Sequence, residues 1–418
     1  MPRKRAKSTS PKKKTSKSML ELLDKPFNFF ALPPYPLVAD MPCLPNDIIP
    51  LYGEIHDATE REAIVPSELR DTMKRYKLKP YTFKPANASL DAEAQALAAY
   101  AMVCNVVQHA AEAHTSDGHE TTWNHLVHTP LLQSTFASAS LGMNGVTEAY
   151  QPPPLRKGIS VRFVIAMSAQ IEPHSLPTVR GSNTDIGPLD SASVSDYQSQ
   201  GPSQITTSTR VGNRGDSKKV DYVLVMDMPK TAQLQEELSR VADDFDCCGV
   251  PHINHTAYRP LEKSLIAVSV ETKTALPQQD PLLQLGLWTA AWHDRMSSIR
   301  ASLVPDATLP CLPTLPLVQV VGHLWQVYFA CDMKISIDLY GPVTIGSTET
   351  VISTYVLIRS LEAIRKWVED TFQDSMRNWF LIGKPPAGEA LSTGEAPGEG
   401  LSTGEAPPSG ATICLADT

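Results

Sequence analysis

Three charged residues stand where a charge is hardest to keep. Asp221 lies in Lys218-Lys219-Val220-Asp221-Tyr222-Val223-Leu224-Val225-Met226, and Glu271 and Lys273 end Ser264-Leu265-Ile266-Ala267-Val268-Ser269-Val270-Glu271-Thr272-Lys273. Both segments are short, β-branched and apolar, the pattern of strands buried on both faces. Side chains alternate along a strand, so Ala267, Ser269, Glu271 and Lys273 share one face. Ile266, Val268, Val270 and Thr272 share the other. The small Ala267 and Ser269 leave room beside the two charges. Two carboxylates and an ammonium at the ends of adjacent core strands fit a hard-cation site with a basic group beside it. A Glu-x-Lys alternation alone is more often a solvated surface pair worth little. Burial separates the two readings.

The next element strengthens the chemical reading. Asp280-Pro281 reads as a helix N-cap followed by proline at the first helical position. From Leu282 to Trp292 the chain is apolar almost all round, as in a buried helix. Gln284 is the one strongly polar residue of that run. A buried amide needs hydrogen-bond partners, which a site at the end of the preceding strand would supply. A first-turn amide reached by water is the plainer alternative.

An Asp, then Glu-x-Lys on the next core strand, then a helix with an early Gln resembles the PD-(D/E)XK nuclease superfamily. The closer resemblance is to the fungal proteins described as PD-(D/E)XK nuclease-like. It rests on Lys219-Val220-Asp221, Asn254-His255-Thr256, Val270-Glu271-Thr272-Lys273 and Leu283-Gln284-Leu285-Gly286, preceded by Glu120, Trp123-Asn124, Val127-His128 and Leu131-Leu132. Val220 stands where the superfamily's name has proline, a position that shapes the turn and not the metal. The resemblance implies an α/β fold, a mixed central sheet flanked by helices in the restriction-endonuclease-like order αβββαβ. It implies a Mg2+ or Mn2+ ion held by Glu120, Asp221 and Glu271. Lys273 would position and help deprotonate the attacking water, and Gln284 would orient the site. The implied activity is hydrolysis of phosphodiester bonds of nucleic acid, DNA ahead of RNA. Two rivals stand beside it: a catalytically silent protein of this fold that binds nucleic acid or protein, and a metal-dependent hydrolase with another substrate.

Composition sets the bounds. A chain of 418 residues can bury a substantial core. Its 35 prolines point to long irregular connections. Seven scattered cysteines without a signal-peptide pattern point to free thiols in a reducing, intracellular compartment. The most apolar stretch, Leu315 to Cys331, is interrupted by Gln319, His323 and Gln326, a poor membrane span. Net charge is −8, yet Arg3-Lys4-Arg5, Lys7, Lys12-Lys13-Lys14 and Lys17 face no acid. A basic tail on an acidic body reads as a nuclear-import signal or a phosphate-binding arm. Arg210, Arg214, Lys218 and Lys219 form a second basic run, a rim suited to a phosphate backbone.

The expected layout is a disordered basic tail at 1–20, an extended and helical segment at 24–88, the nuclease-like domain at 89–382, and a Gly/Glu/Pro repeat tail at 383–418. A disordered insertion is expected at 170–218. Within the domain, helices are expected near 57–76, 90–114 (capped by Ser89), 231–244 and 350–380 (capped by Ser347 or Thr348). Strands are expected at 159–168, at 317–332 and at 334–345, the last two joined near Cys331. Zinc is not expected at His119, His125 and His128, nor at Cys247-Cys248 with His252 and His255, because neither spacing is a usual ligand pattern.

Overall fold

The computed structural model describes residues 15–33, 35, 44–87, 89–136, 159–180, 209–210, 219–274, 280–303 and 310–382, all within one compact unit, 1–382. The strands are β1 (Phe27–Phe30), β2 (Ser160–Ile165), β3 (Thr178–Val179), β4 (Thr209–Arg210), β5 (Tyr222–Asp227), β6 (Leu265–Lys273), β7 (Leu315–Val321), β8 (Leu324–Asp332) and β9 (Ile337–Ser347). The helices are α1 (Ser16–Leu20), α2 (Ile49–Thr59), α3 (Ala92–Thr115), α4 (Glu120–Trp123), α5 (Thr129–Phe136), α6 (Gln233–Asp246), α7 (Pro281–Leu303), α8 (Val351–Trp367) and α9 (Gln373–Phe380).

Seven strands form a mixed sheet in the order β1-β9-β8-β7-β6-β5-β2, while β3 pairs with β4. β1 with β9 and β6 with β7 are parallel; the other joins are antiparallel. Taken as α3, β2, β5, β6, α7 and β7, the core follows the αβββαβ order that the resemblance implied. A parallel β6–β7 pair needs a crossover, and α7 supplies it. This explains why α7 is apolar all round: it packs on the sheet through β6 and β7 and is itself covered by α1. No helix among the described residues is long and apolar enough to cross a membrane.

Several expected boundaries move, each for a local reason. The chain turns at Gly322, which takes a positive φ of 55°, so the expected strand 317–332 is two strands, β7 and β8. The charged stretch 57–76 is not one helix. α2 ends at Thr59, and 3-10 turns at Ser67–Leu69 and Lys74–Tyr76 follow. Thr350, not Ser347 or Thr348, caps α8, its hydroxyl accepting from the Ser353 N–H at 3.1 Å. Asp91, not Ser89, is the N-cap residue of α3.

The tail and insertion boundaries also shift. Residues 16–20 of the expected basic tail form α1, whose Leu20 is fully buried at Gly286 of α7. Residues 171–180 of the expected insertion are packed: Ile171 and Leu176 are buried, and the Asp24 N–H donates to the Thr178 carbonyl. The N-terminal segment adds β1 to the sheet edge and lays α2 against α8. The basic run 3–14, the rest of the insertion apart from β4 and Lys219, and the 383–418 repeat lie outside the described residues.

One glycine fixes how α8 meets the sheet. Gly346 of β9 has φ +140°, and a Cβ there would lie 2.6 Å from both the backbone N and the Cβ of Leu357. Neither the dihedral nor the backbone contact can relax cheaply. Gly346→Ala is therefore expected to destabilise the protein by on the order of 3 kcal/mol. A denaturant midpoint equal to wild type would show that α8 does not need this approach.

Candidate active site

The end of β6 carries the site. Glu271 is 1 % exposed, and its Oε1 accepts from Lys273 Nζ at 2.5 Å. The same ammonium donates to Glu120 Oε2 at 3.2 Å and to the Thr272 carbonyl at 2.9 Å. Glu120 arrives from the first residue of α4, and Asp221 from the position before β5. The Asp221 N–H donates to the Val270 carbonyl at 3.1 Å, which sets this residue beside Glu271 across the antiparallel join. Glu120, Asp221, Glu271 and Lys273 are thus brought together from three separate stretches of chain. Gln284 is buried in the first turn of α7, on the helix packed over β6.

Thr272 points to the other face of β6 and ties the cluster down. Its N–H and hydroxyl both reach Asp221 Oδ2, at 2.8 and 2.6 Å. The hydroxyl also lies 2.8 Å from Asn124 Oδ1, so its single proton has two acceptors to serve. Asn124 Oδ1 meets His128 Nδ1 at 2.8 Å, and the Asn124 carbonyl accepts from the Tyr222 hydroxyl at 3.1 Å. Asn124 opens a π-helical turn, Asn124–His128, between α4 and α5. Such insertions re-aim side chains and cluster at functional sites. Thr272, Asn124 and Tyr222 were missed by reasoning from charge. The signals were present in the Trp-Asn pair and in the alternation that sends Thr272 away from Glu271.

The electrostatics are first those of carboxyls taken out of water. Burial, and after it the charge of Asp221, hold the Glu271 carboxyl well above the ordinary range. Burial and the same charge raise Glu120. Asp221 is raised by burial, although the Thr272 hydrogen bonds pull it back. Burial alone would lower Lys273, and the Glu271, Glu120 and Asp221 carboxylates together more than offset that, so the ammonium keeps its proton. One ammonium serves three carboxylates.

Among the described residues no group of three or more His, Cys, Asp or Glu side chains forms a ready metal cage. The donor chemistry still fits the cation that the resemblance implies. Three carboxylates supply hard oxygen ligands, and all three are held above their usual pKa chiefly by burial. The residues fit the ion.

The histidines do other work. Burial takes His128 down to about 3, a neutral ring beneath the sheet. Asn254 Nδ2 donates to the Leu261 and Ser264 carbonyls at 2.5 and 2.7 Å, pinning the loop that feeds β6. His255 packs edge-on against Trp288 of α7, with ring centroids 4.2 Å apart. The Asn-His-Thr signature is therefore a brace between the entry of β6 and the helix over it. Of the expected basic rim, Arg214 and Lys218 lie outside the described residues.

The raised carboxyls have a pH consequence. The folded protein binds protons that the unfolded chain has released, from the ordinary carboxylate range near pH ~4 upward. Stability from this source is therefore full below that range and is lost as pH rises through the folded pKa values. In chelator, Glu271→Gln should gain on wild type steadily as pH rises from about 4 to 8. Denaturant midpoints of both proteins across that range check it. A constant difference would mean that Glu271 is not pressed by its neighbours.

No curated protein and no solved structure matches this chain. The family model of the PD-(D/E)XK nuclease superfamily does match, over residues 68–373, a span that holds Glu120, Asp221, Glu271, Lys273 and the whole frame from α3 to α8. The chain belongs to the PD-(D/E)XK nuclease superfamily.

Proposed function

We propose that this protein hydrolyses phosphodiester bonds in nucleic acid, DNA ahead of RNA, with a divalent cation at the end of β6. The observation that carries the reading is the meeting of Glu120, Asp221, Glu271 and Lys273 at the end of β6, with Asp221 and Glu271 buried. Glu120, Asp221 and Glu271 would hold Mg2+ or Mn2+. Such an ion, when bound, neutralises phosphate charge and lowers the pKa of a coordinated water.

The chain's own groups do the rest. Thr272 fixes the Asp221 carboxylate through two hydrogen bonds, so this oxygen ligand is set before any ion arrives. Lys273 carries a proton and a positive charge at Nζ, a donor for the phosphate oxygens and for the attacking water. The Glu271 carboxylate beside it favours the charged form. Drawing that carboxylate away would lower the Nζ pKa, and only after giving its own proton to bulk water could the neutral amine take one from the attacking water. The water oxygen attacks phosphorus, one P–O ester bond breaks, and the leaving oxygen gains a proton. Gln284, in the first turn of α7, would orient the groups at the same strand end.

Two experiments test this. Purified protein with labelled DNA and RNA in Mg2+ or Mn2+ should cleave, and chelator should stop it. Lys273→Ala should lower cleavage by about 100-fold or more while retaining substrate binding. Equal turnover by the variant would remove Lys273 from the chemistry.

The second readout needs no substrate. An ion that binds only the folded state raises the melting temperature by mass action. Millimolar Mg2+ or Mn2+ should raise the wild-type melting temperature. Asp221→Asn should match or exceed wild type in chelator, yet lose most of the metal shift. A wild-type melt that ignores both ions would defeat the shared metal site.

A further inference from the structure

Glu271 does not stand alone across the sheet. In the parallel register it pairs with Gln319 of β7, and Gln319 pairs with Gln326 of β8. A register shift between Trp325 and Gln326 then sets Thr344 of β9, not Ile345, opposite Gln326. Bulges re-aim side chains in this way. The result is one lateral row, Glu271, Gln319, Gln326 and Thr344, crossing four strands. Three strand spacings make it about 14 Å long.

The outer part of the row, Gln326 and Thr344, is open to a ligand. It lies on the sheet face away from α8, which packs at Gly346 and thus on the opposite side of β9. α7 shares the row's face, and its sheet contacts fall chiefly on β6 and β7. Gln326 and Thr344, on β8 and β9, lie to the side of it. Gln319 and Gln326 are half-buried and Thr344 is exposed. The Gln319 Oε1 is shut off from solvent and meets no donor among the described residues. A buried carboxamide oxygen without a donor is costly, and here it adjoins the catalytic carboxylate we propose.

We infer that Gln319, Gln326 and Thr344 form a base-reading strip for the strand cut at Lys273. This rests on the nuclease reading of that site. The row carries no cation, so it is built to bind something other than phosphate. A carboxamide offers a donor and an acceptor side by side, which matches the edge of an unpaired base. With the phosphate at Glu271 and Lys273, the attached nucleoside falls against Gln319 and its neighbour against Gln326 and Thr344. Phosphate contacts position a strand, and contacts of this neutral kind choose among sequences.

Salt dependence separates the two kinds of contact. The full chain carrying Lys273→Ala, which should not cut its probe, is titrated with fluorescent single-stranded dA, dC and dT oligonucleotides over a salt series in Mg2+. Gln319→Leu and Gln326→Leu, near-isosteric changes, are then added one at a time, with melting curves to confirm folding. Each should weaken binding by roughly tenfold, unequally among the three probes, with the salt slope unchanged. An equal loss on all probes with a shallower slope would make the row part of the phosphate path and overturn the proposal, as would no loss at all. Should Gln319→Leu fail to fold, half-buried Gln326 decides the question alone. A Lys273→Ala parent that binds none of the probes, and a wild type that cuts none, would instead refute the nuclease reading itself.

Discussion

The buried ammonium of Lys273 makes the rest of this site possible. Two unit charges about 4 Å apart repel by roughly 4 kcal/mol at an effective dielectric of ~20, and here three carboxylates share one strand end. Lys273 lies between Glu271 and Glu120 and offsets part of that repulsion. All three carboxyls still stay above their ordinary pKa, with burial the leading cause and, for Glu120 and Glu271, the charge of Asp221 the next. Protons taken up at lower pH relieve what Lys273 leaves.

Alternation along a single strand divides the labour. Glu271 and Lys273 project from one face of β6 into the cluster, while Thr272 projects from the other and holds Asp221 from behind. The anchoring side is wholly neutral: Asn124, Tyr222, Thr129 and a His128 ring that burial keeps uncharged. Neutral partners can fix a carboxylate's direction without discharging it. A second lysine in the place of Thr272 would have fixed Asp221 too, but would have cancelled its charge.

Much of this was legible from residue types. Apolar, β-branched runs around Asp221 and Glu271 marked two core strands, and the fully apolar stretch after Asp280 marked a covering helix. Glu271 is buried, and Glu120 reaches the Lys273 ammonium beside it. Other features depend on what no local pattern encodes. The turn at Gly322 falls inside a mostly apolar run, so periodicity alone could not split β7 from β8. α1 forms inside a Lys/Ser-rich tail because Leu20 finds the open space at Gly286, nearly 270 residues away in sequence. Asn124 became part of the site through a π-turn, which shifts a helix face by one residue and leaves no compositional trace. Charge announces itself in a sequence, whereas neutral hydrogen-bond partners are visible only when the strands are side by side.

The sheet topology explains why the chemistry gathers at this edge. β6 and β7 run parallel, so both present their carboxyl ends together, and open α/β sheets place ligands at such ends. β5 runs the other way, so its beginning, with Asp221, reaches the same edge that β6 reaches with its end. The Lys273 carbonyl accepts from the Gly322 N–H at 2.9 Å, which locks the β7–β8 turn to the end of β6. That turn sends β8 back along β7 and lays Gln326 against Gln319, in line with Glu271. The Glu271 carboxylate and the Gln319 carboxamide therefore become neighbours through a single crossover, the one made by α7. The connection that builds the parallel pair is thus also the one that sets the site's row of polar side chains in register.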